Sequence, residues 1–310
     1  MCLESKFIIY IFEKQKFTIM KKQLAIVLFS GLLLSCGNEV EEDVPQMEEV
    51  VMDQETSGRV EKVQNVFQTL PSPLETASIF QHAGANYNAE LLNPIANVDN
   101  YSTNTQKAIN FGVYGADLSY ANIFEQTQET MFYMNCTKKL SDALGVSSAF
   151  DAATMERLEE NINNKDSLMI IINDAFWLAD AFLKENGQDN LSALIVTGGW
   201  IEGLYIGTKT IDKKNPDEGL MLKIADQKFS LDNLVQLLAT YDNEEVKQVA
   251  SKLNNLKAIY DKISEEESET TVEETDGVTT IGGGSSLSYD KETIIEITNE
   301  IEKIRNKIIQ

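Results

Sequence analysis

Histidine is all but missing from this 310-residue chain, which holds only His82. A zinc or iron centre built from several imidazoles is therefore excluded, and a Ser-His-Asp triad would hang on that one residue. Positive charge is also scarce: 26 Lys+Arg stand against 49 Asp+Glu, giving a net charge of −23 and a pI near 4.4. Phosphate backbones are bound by clustered cations that displace counterions, so nucleic acid is excluded as a partner. Signature loops are lacking too. There is no Gly-x-Ser-x-Gly elbow, no Walker loop, no Cys-x-x-Cys and no Gly-x-Gly-x-x-Gly, so no catalytic residue, metal or cofactor is assigned.

What is present begins near the N-terminus. Met20-Lys21-Lys22 precedes an apolar stretch from Leu24 to Leu34 and then Ser35-Cys36-Gly37, the layout of an export signal over residues 20–35. Eleven residues at a rise of ~1.5 Å cover ~17 Å, too short for a ~30 Å hydrocarbon core. Leu33-Leu34-Ser35-Cys36 resembles the bacterial lipobox, which implies a lipid thioether on Cys36 and cleavage just before it. Leu34 is bulkier than is usual there. Residues 1–19 carry a second apolar patch, Phe7 to Phe12, that would leave this signal internal, so translation is expected to start at Met20.

Residues 1–35 hold two acids and five lysines, so the processed chain would have 275 residues with 47 acids, 21 bases and a charge of −26. Attachment to a membrane must then come from the lipid, at ~0.8 kcal/mol per buried CH₂. Residues 36–58 form an acidic tether, because from Gly37 to Glu55 no base offsets the carboxylates. An acidic stretch behind a lipidated cysteine also resembles the surface-export signal of lipoproteins in the Bacteroidota. With Cys2 upstream and Cys36 lipidated, only Cys136 remains and no intramolecular disulfide is possible. Phe132, Cys136, Leu140 and Leu144 share a helix face, which points to a buried, inert thiol.

Beyond the tether the apolar period is helical. Ser72-Pro73-Leu74-Glu75 is a capping box with proline at the first helical position, opening a helix that Gly84 ends. Further helices are expected at 104–120, 125–144 (stopped by Gly145), 152–162, from Leu168 to the Asn186-Gly187 stop, 191–211 behind Asp189 or Asn190, 217–228, 231–241 behind Ser230, and 243–263. The 191–211 segment is apolar nearly all round, and Gly199, Gly203 and Gly207 leave one stripe open to a close neighbour. A transmembrane span there is disfavoured by its length and by Glu202. Asp212 to Gly219 looks superficially like a calcium loop, but Lys213 and Lys214 take acceptor positions and make it a surface turn. Between residues 265 and 289, Thr270–Glu273 and Val278–Ile281 flank Thr275-Asp276-Gly277 and predict a small β-hairpin, followed by a flexible 282–286. Ile294, Ile297, Ile301, Ile304 and Ile308 mark a last helix at 290–310 that packs back on the body rather than forming a coiled coil.

Two carboxylates stand out. Tyr114, Asp117 and Tyr120 fall along one helix side, and Glu202 lies three residues before Tyr205 in the most apolar helix. A carboxylate so placed must be hydrogen-bonded or shifted in pKa, with the tyrosines as donors. One reading is a polar ligand or acid/base site between two helices; the favoured one is an internally satisfied network fixing helix register.

Leu70–Glu75, Leu91-Leu92-Asn93-Pro94, Tyr114–Tyr120 and Gly198–Tyr205 together resemble a family of uncharacterised helical lipoproteins in the Bacteroidota, over about residues 60–310. The resemblance implies an outer-envelope lipoprotein of helical fold and brings no activity. The expected architecture is all-α: an antiparallel multi-helix domain over 59–264 with one small β-hairpin near the C-terminus, and no 34-residue repeat of the tetratricopeptide kind. The expected role is a lipid-anchored component of the outer membrane, facing the periplasm or the surface, that binds an unknown protein or small molecule without catalysis. The alternatives are a small-ligand binder or a carboxylate-dependent hydrolase at Asp117 and Glu202.

Overall fold

In the computed structural model, which describes residues 87–210, 218–267, 271–275, 278–282 and 285–310, a capping box at Thr103 starts the first α-helix. The Thr103 side chain accepts from the Gln106 amide at 3.1 Å, and the Gln106 side chain accepts from the Thr103 amide at 3.1 Å. The described residues belong to one unit, Met52–Gln310. The export signal, Cys36, the tether, the helix expected from Pro73 to Gly84, residues 212–217 and the Asp276-Gly277 turn lie outside the described residues.

The helix that Thr103 caps is α1, Asn104–Ile123, and every residue from Ala108 to Ile123 is buried. Glu125, with φ of 56°, turns the chain so that α2 begins at Thr127 and runs to Leu144, where Gly145 takes the left-handed conformation that ends it. A 3-10 turn, Ser147–Phe150, leads to α3, Ala152–Glu160, capped by Asp151. Next come α4, Lys165–Glu185, capped by Asn164, and α5, Asp189–Lys209. Gln188 precedes α5 without a side-chain cap, so the capping role expected of Asp189 or Asn190 is not taken up; Asp189 instead lies in the first turn, where its charge meets the helix dipole.

Two expectations are corrected in the C-terminal half. The helices expected at 217–228 and 231–241 are one helix, α6, Glu218–Leu238. Ser230 is buried in its interior; with no glycine or proline beside it, a serine alone does not break a helix. After α7, Glu244–Tyr260, capped by Asn243, the acidic stretch holds two strand pairs rather than one. The inner pair is β2, Thr271–Thr275, with β3, Val278–Gly282, in the register Thr275 opposite Val278. Outside it, β1, Ser264–Glu267, pairs antiparallel with β4, Ser285–Ser288, so the segment expected to be flexible at 282–286 ends in a strand. The last helix, α8, Lys291–Ile308, is capped by Asp290. Ile294, Ile297, Ile301, Ile304 and Ile308 are buried while Ile295 faces outward, and the helix packs against α5 and α7.

Helices α1 and α5 form the middle of this arrangement. α1 touches α2, α4, α5 and α8, and α5 touches α1, α4, α6 and α8. Both helices are therefore covered on nearly all sides, which is why they show little amphipathic pattern. Among the described residues no helix is long and apolar enough to cross a membrane. The close approach foreseen for the glycines of α5 occurs at Gly198, one residue before the expected stripe, and at Gly112 of α1. A Cβ on Gly112 would overlap the carbonyl oxygen of Ile195 and lie 2.7 Å from the Gly199 amide nitrogen; one on Gly198 would overlap the carbonyl oxygen of Ile109. Backbone thus meets backbone, and only glycine fits.

Candidate functional site

Asp117 on α1 and Glu202 on α5 are each 0% exposed. Burying a carboxylate costs several kcal/mol unless it is paired, and the partner of Glu202 is Arg305 of α8. Arg305 Nη2 donates to Glu202 Oε1 at 2.8 Å and Nε donates to Oε2 at 2.9 Å, a two-pronged, charge-assisted contact. Its guanidinium also lies over the Tyr205 ring, 4.6 Å from the centroid. Burial works against the charge on Arg305, yet Glu202 outweighs it and holds the group cationic, with its pKa above the ordinary value.

Two of the tyrosines expected as donors, Tyr114 and Tyr120, meet backbone groups. Tyr114 hydroxyl donates to the Pro94 carbonyl at 2.9 Å, and Tyr120 hydroxyl accepts from the Asn88 amide at 3.1 Å. Both therefore hold the irregular segment ahead of α1, which contains 3-10 turns at Ala89–Leu91 and Ile95–Asp99. Asn93 is the hub of that segment. Its amide donates to Asp117 Oδ2 at 3.2 Å, its carbonyl accepts from Tyr133 hydroxyl at 3.1 Å, its side-chain nitrogen donates to Tyr101 hydroxyl at 2.9 Å, and its side-chain oxygen accepts from Asn97 at 2.9 Å. A buried asparagine with every polar group used fixes the backbone around it.

The same network receives the end of α8. A helix leaves its last carbonyls without intrahelical donors. Here Asn110 donates to the Ile308 carbonyl at 2.9 Å, and Asn97 and Tyr101 donate to the Ile309 carbonyl at 3.1 and 3.3 Å. Arg305 Nη2 reaches the Leu91 carbonyl at 2.8 Å, tying α8 to the N-terminal segment directly.

Sequence reasoning placed Asp117, Tyr114, Tyr120, Glu202 and Tyr205 in one neighbourhood, and missed Arg305, Asn93, Tyr101 and Tyr133. Arg305 was legible in one respect: it is one of three arginines in the chain and flanks the isoleucine stripe as Ile301, Ile304, Arg305, Ile308. Cys136 is buried as expected, and burial pushes its thiol up to about 11. Burial likewise pushes the hydroxyls of Tyr87, Tyr101, Tyr114, Tyr133 and Tyr205 upward, which keeps them neutral.

The chain matches no family model, and no curated protein and no solved structure is significantly similar to it. Both Glu202 oxygens are engaged by Arg305, and Asp117 Oδ2 by a backbone amide, so within this arrangement no carboxylate oxygen is presented to solvent for attack or proton exchange with a substrate.

Proposed function

We propose that this protein is a lipid-anchored component of the cell envelope, held in the outer membrane through Cys36, that acts by binding a partner rather than by catalysis. The signal at residues 20–35, the lipobox-like Leu33–Cys36 and the acidic tether support the anchoring. The observation that carries the binding role is an apolar stripe on α4. Ile170, Trp177 and Leu178 are 55%, 63% and 55% exposed at helical spacing, where a monomeric surface would normally carry polar side chains. Exposed carboxylates at Asp166, Asp174 and Glu185 border it. The complementary surface is an apolar protein segment flanked by lysine or arginine; a second copy, at net charge −23, would bring like charges together.

The hydrolase and small-ligand alternatives are disfavoured because Asp117 and Glu202 are fully buried and both oxygens of Glu202 are engaged by Arg305. The test has two arms. Incorporation of labelled fatty acid is expected in the native chain and lost in Cys36→Ala; labelling that persists overturns the anchor. A photocrosslinker at position 177 in cells is expected to give a discrete adduct that disappears with Leu178→Asp and weakens with salt. A crosslinker on the far side of the molecule giving the same adduct overturns the α4 assignment.

A further inference from the structure

Two acids and one base are enclosed where α1, α5 and α8 meet, and their hydrogen bonds do not balance if both acids are ionised. Glu202 faces Arg305 with both oxygens. Asp117 receives one amide, on Oδ2, and no donor among the described residues reaches its Oδ1. An ionised carboxylate fully out of water with one bare oxygen would carry the desolvation cost almost undiminished. Glu202 is the buried acid whose charge bears on Asp117, and two carboxyls can bond only when a proton lies between them. The proton belongs on Asp117, because Glu202 already holds the guanidinium.

We propose that Asp117 sits in the fold as a neutral carboxylic acid donating its proton to Glu202, and that losing this proton unfastens the strap Tyr87–Asn100 from α1. In the closed form the cluster is Asp117-COOH, Glu202 carboxylate and Arg305 guanidinium, with no net charge. Release of the proton to solvent leaves two carboxylates against one guanidinium, a buried net charge of one. The groups facing Asp117 cannot absorb it: Tyr114 and Tyr120 on α1, Tyr133 and Cys136 on α2, Tyr205 on α5, Tyr87 on the strap and Tyr101 just after it are neutral, and Arg305 is the one cation among them. Burial first, then the field of Glu202, raises the pKa of Asp117 well above its ordinary 3.8, while Arg305 and the Asn93 amide oppose that rise. The strap is the element that must move, because it closes the cluster with the Asn93 amide on Asp117 and the Leu91 carbonyl on Arg305.

The experiment is infrared spectroscopy of the full chain at neutral pH with carboxyl-labelled aspartate, together with amide exchange of residues 88–97 against pH. The expected result is a protonated-carboxyl band that shifts with the aspartate label and is absent from Asp117→Asn. In the native chain strap opening, corrected for intrinsic exchange, rises about tenfold per pH unit between the ordinary and the raised pKa. In Asp117→Asn, whose amide can donate to Glu202, that rise is lost. No label-sensitive acid band, or the same pH dependence in the variant, overturns the proposal. Should Asp117→Asn fail to fold, the labelled band in the native chain decides alone.

Discussion

Glu202 and Arg305 show how one residue can matter through what it leaves behind. Their pair need not stabilise the fold relative to apolar side chains of similar shape, since both charges lost their water. Breaking it is a different matter. Glu202→Gln leaves Arg305 charged and half-paired, and is expected to lower unfolding free energy by about 3–5 kcal/mol in a urea titration. Glu202→Leu combined with Arg305→Met should lose much less than the two single changes added together. Asp117 carries a pH signature of definite sign. Its folded pKa is raised, so its contribution is fully present below the unfolded value, ordinarily 3.8, and is lost as pH rises toward the folded value. Asp117→Asn should therefore gain stability relative to the native chain as pH is raised from 4 toward neutrality, read from paired denaturation curves; a difference that is flat or of opposite slope contradicts the assignment.

At the scale of elements, α1 and α5 are joined by contact that side chains would prevent. Gly112→Ala or Gly198→Ala puts a methyl into an opposing carbonyl, and a backbone pair cannot shift as a side-chain tip can. Each is expected to cost at least about 1–3 kcal/mol, the range for overpacking, with a lower midpoint in thermal unfolding. Gly145→Ala is a useful contrast: its Cβ would meet nothing within 4 Å, and only the φ of 77° resists it, so a loss of about 1 kcal/mol is expected. α8 depends on its isoleucines. Ile297→Ala and Ile301→Ala, both in fully buried positions, should each cost about 2–5 kcal/mol. The isoleucine spacing, the Gly145 stop and the Asn186-Gly187 stop were legible because they are local. The single helix α6 was not, since Ser230 is a cap or an interior residue depending on whether its surroundings are solvent or the core.

Over the whole molecule, polar groups buried far apart in sequence close the structure on itself. Residues Asn88 to Asn97, the end of α8 and the middle of α1 share one network, so the chain's two described ends are fastened to the same place. The α4 stripe is outside that network and carries no such burden. Trp177→Asp should leave stability within about 0.5 kcal/mol, while removing any partner that docks there, measured by crosslinking in cells beside a denaturation curve. A large loss of stability would instead mark Trp177 as part of the core.

The sequence by itself determined that the described domain is helical, where most helices stop, that Cys136 is buried, and that Asp117 and Glu202 would need special surroundings. Each of these follows from the period of apolar residues, from glycine at a helix end, or from the cost of a carboxylate among apolar neighbours, all of which act over a few positions. Only the tertiary structure decided that Glu202 answers to Arg305, 103 residues away, that the hydroxyls of Tyr114 and Tyr120 meet the Pro94 carbonyl and the Asn88 amide, and that Ser264–Glu267 pairs with Ser285–Ser288. Those choices depend on which surfaces meet when α1, α5 and α8 pack, and a buried charge takes whichever partner that packing brings within reach.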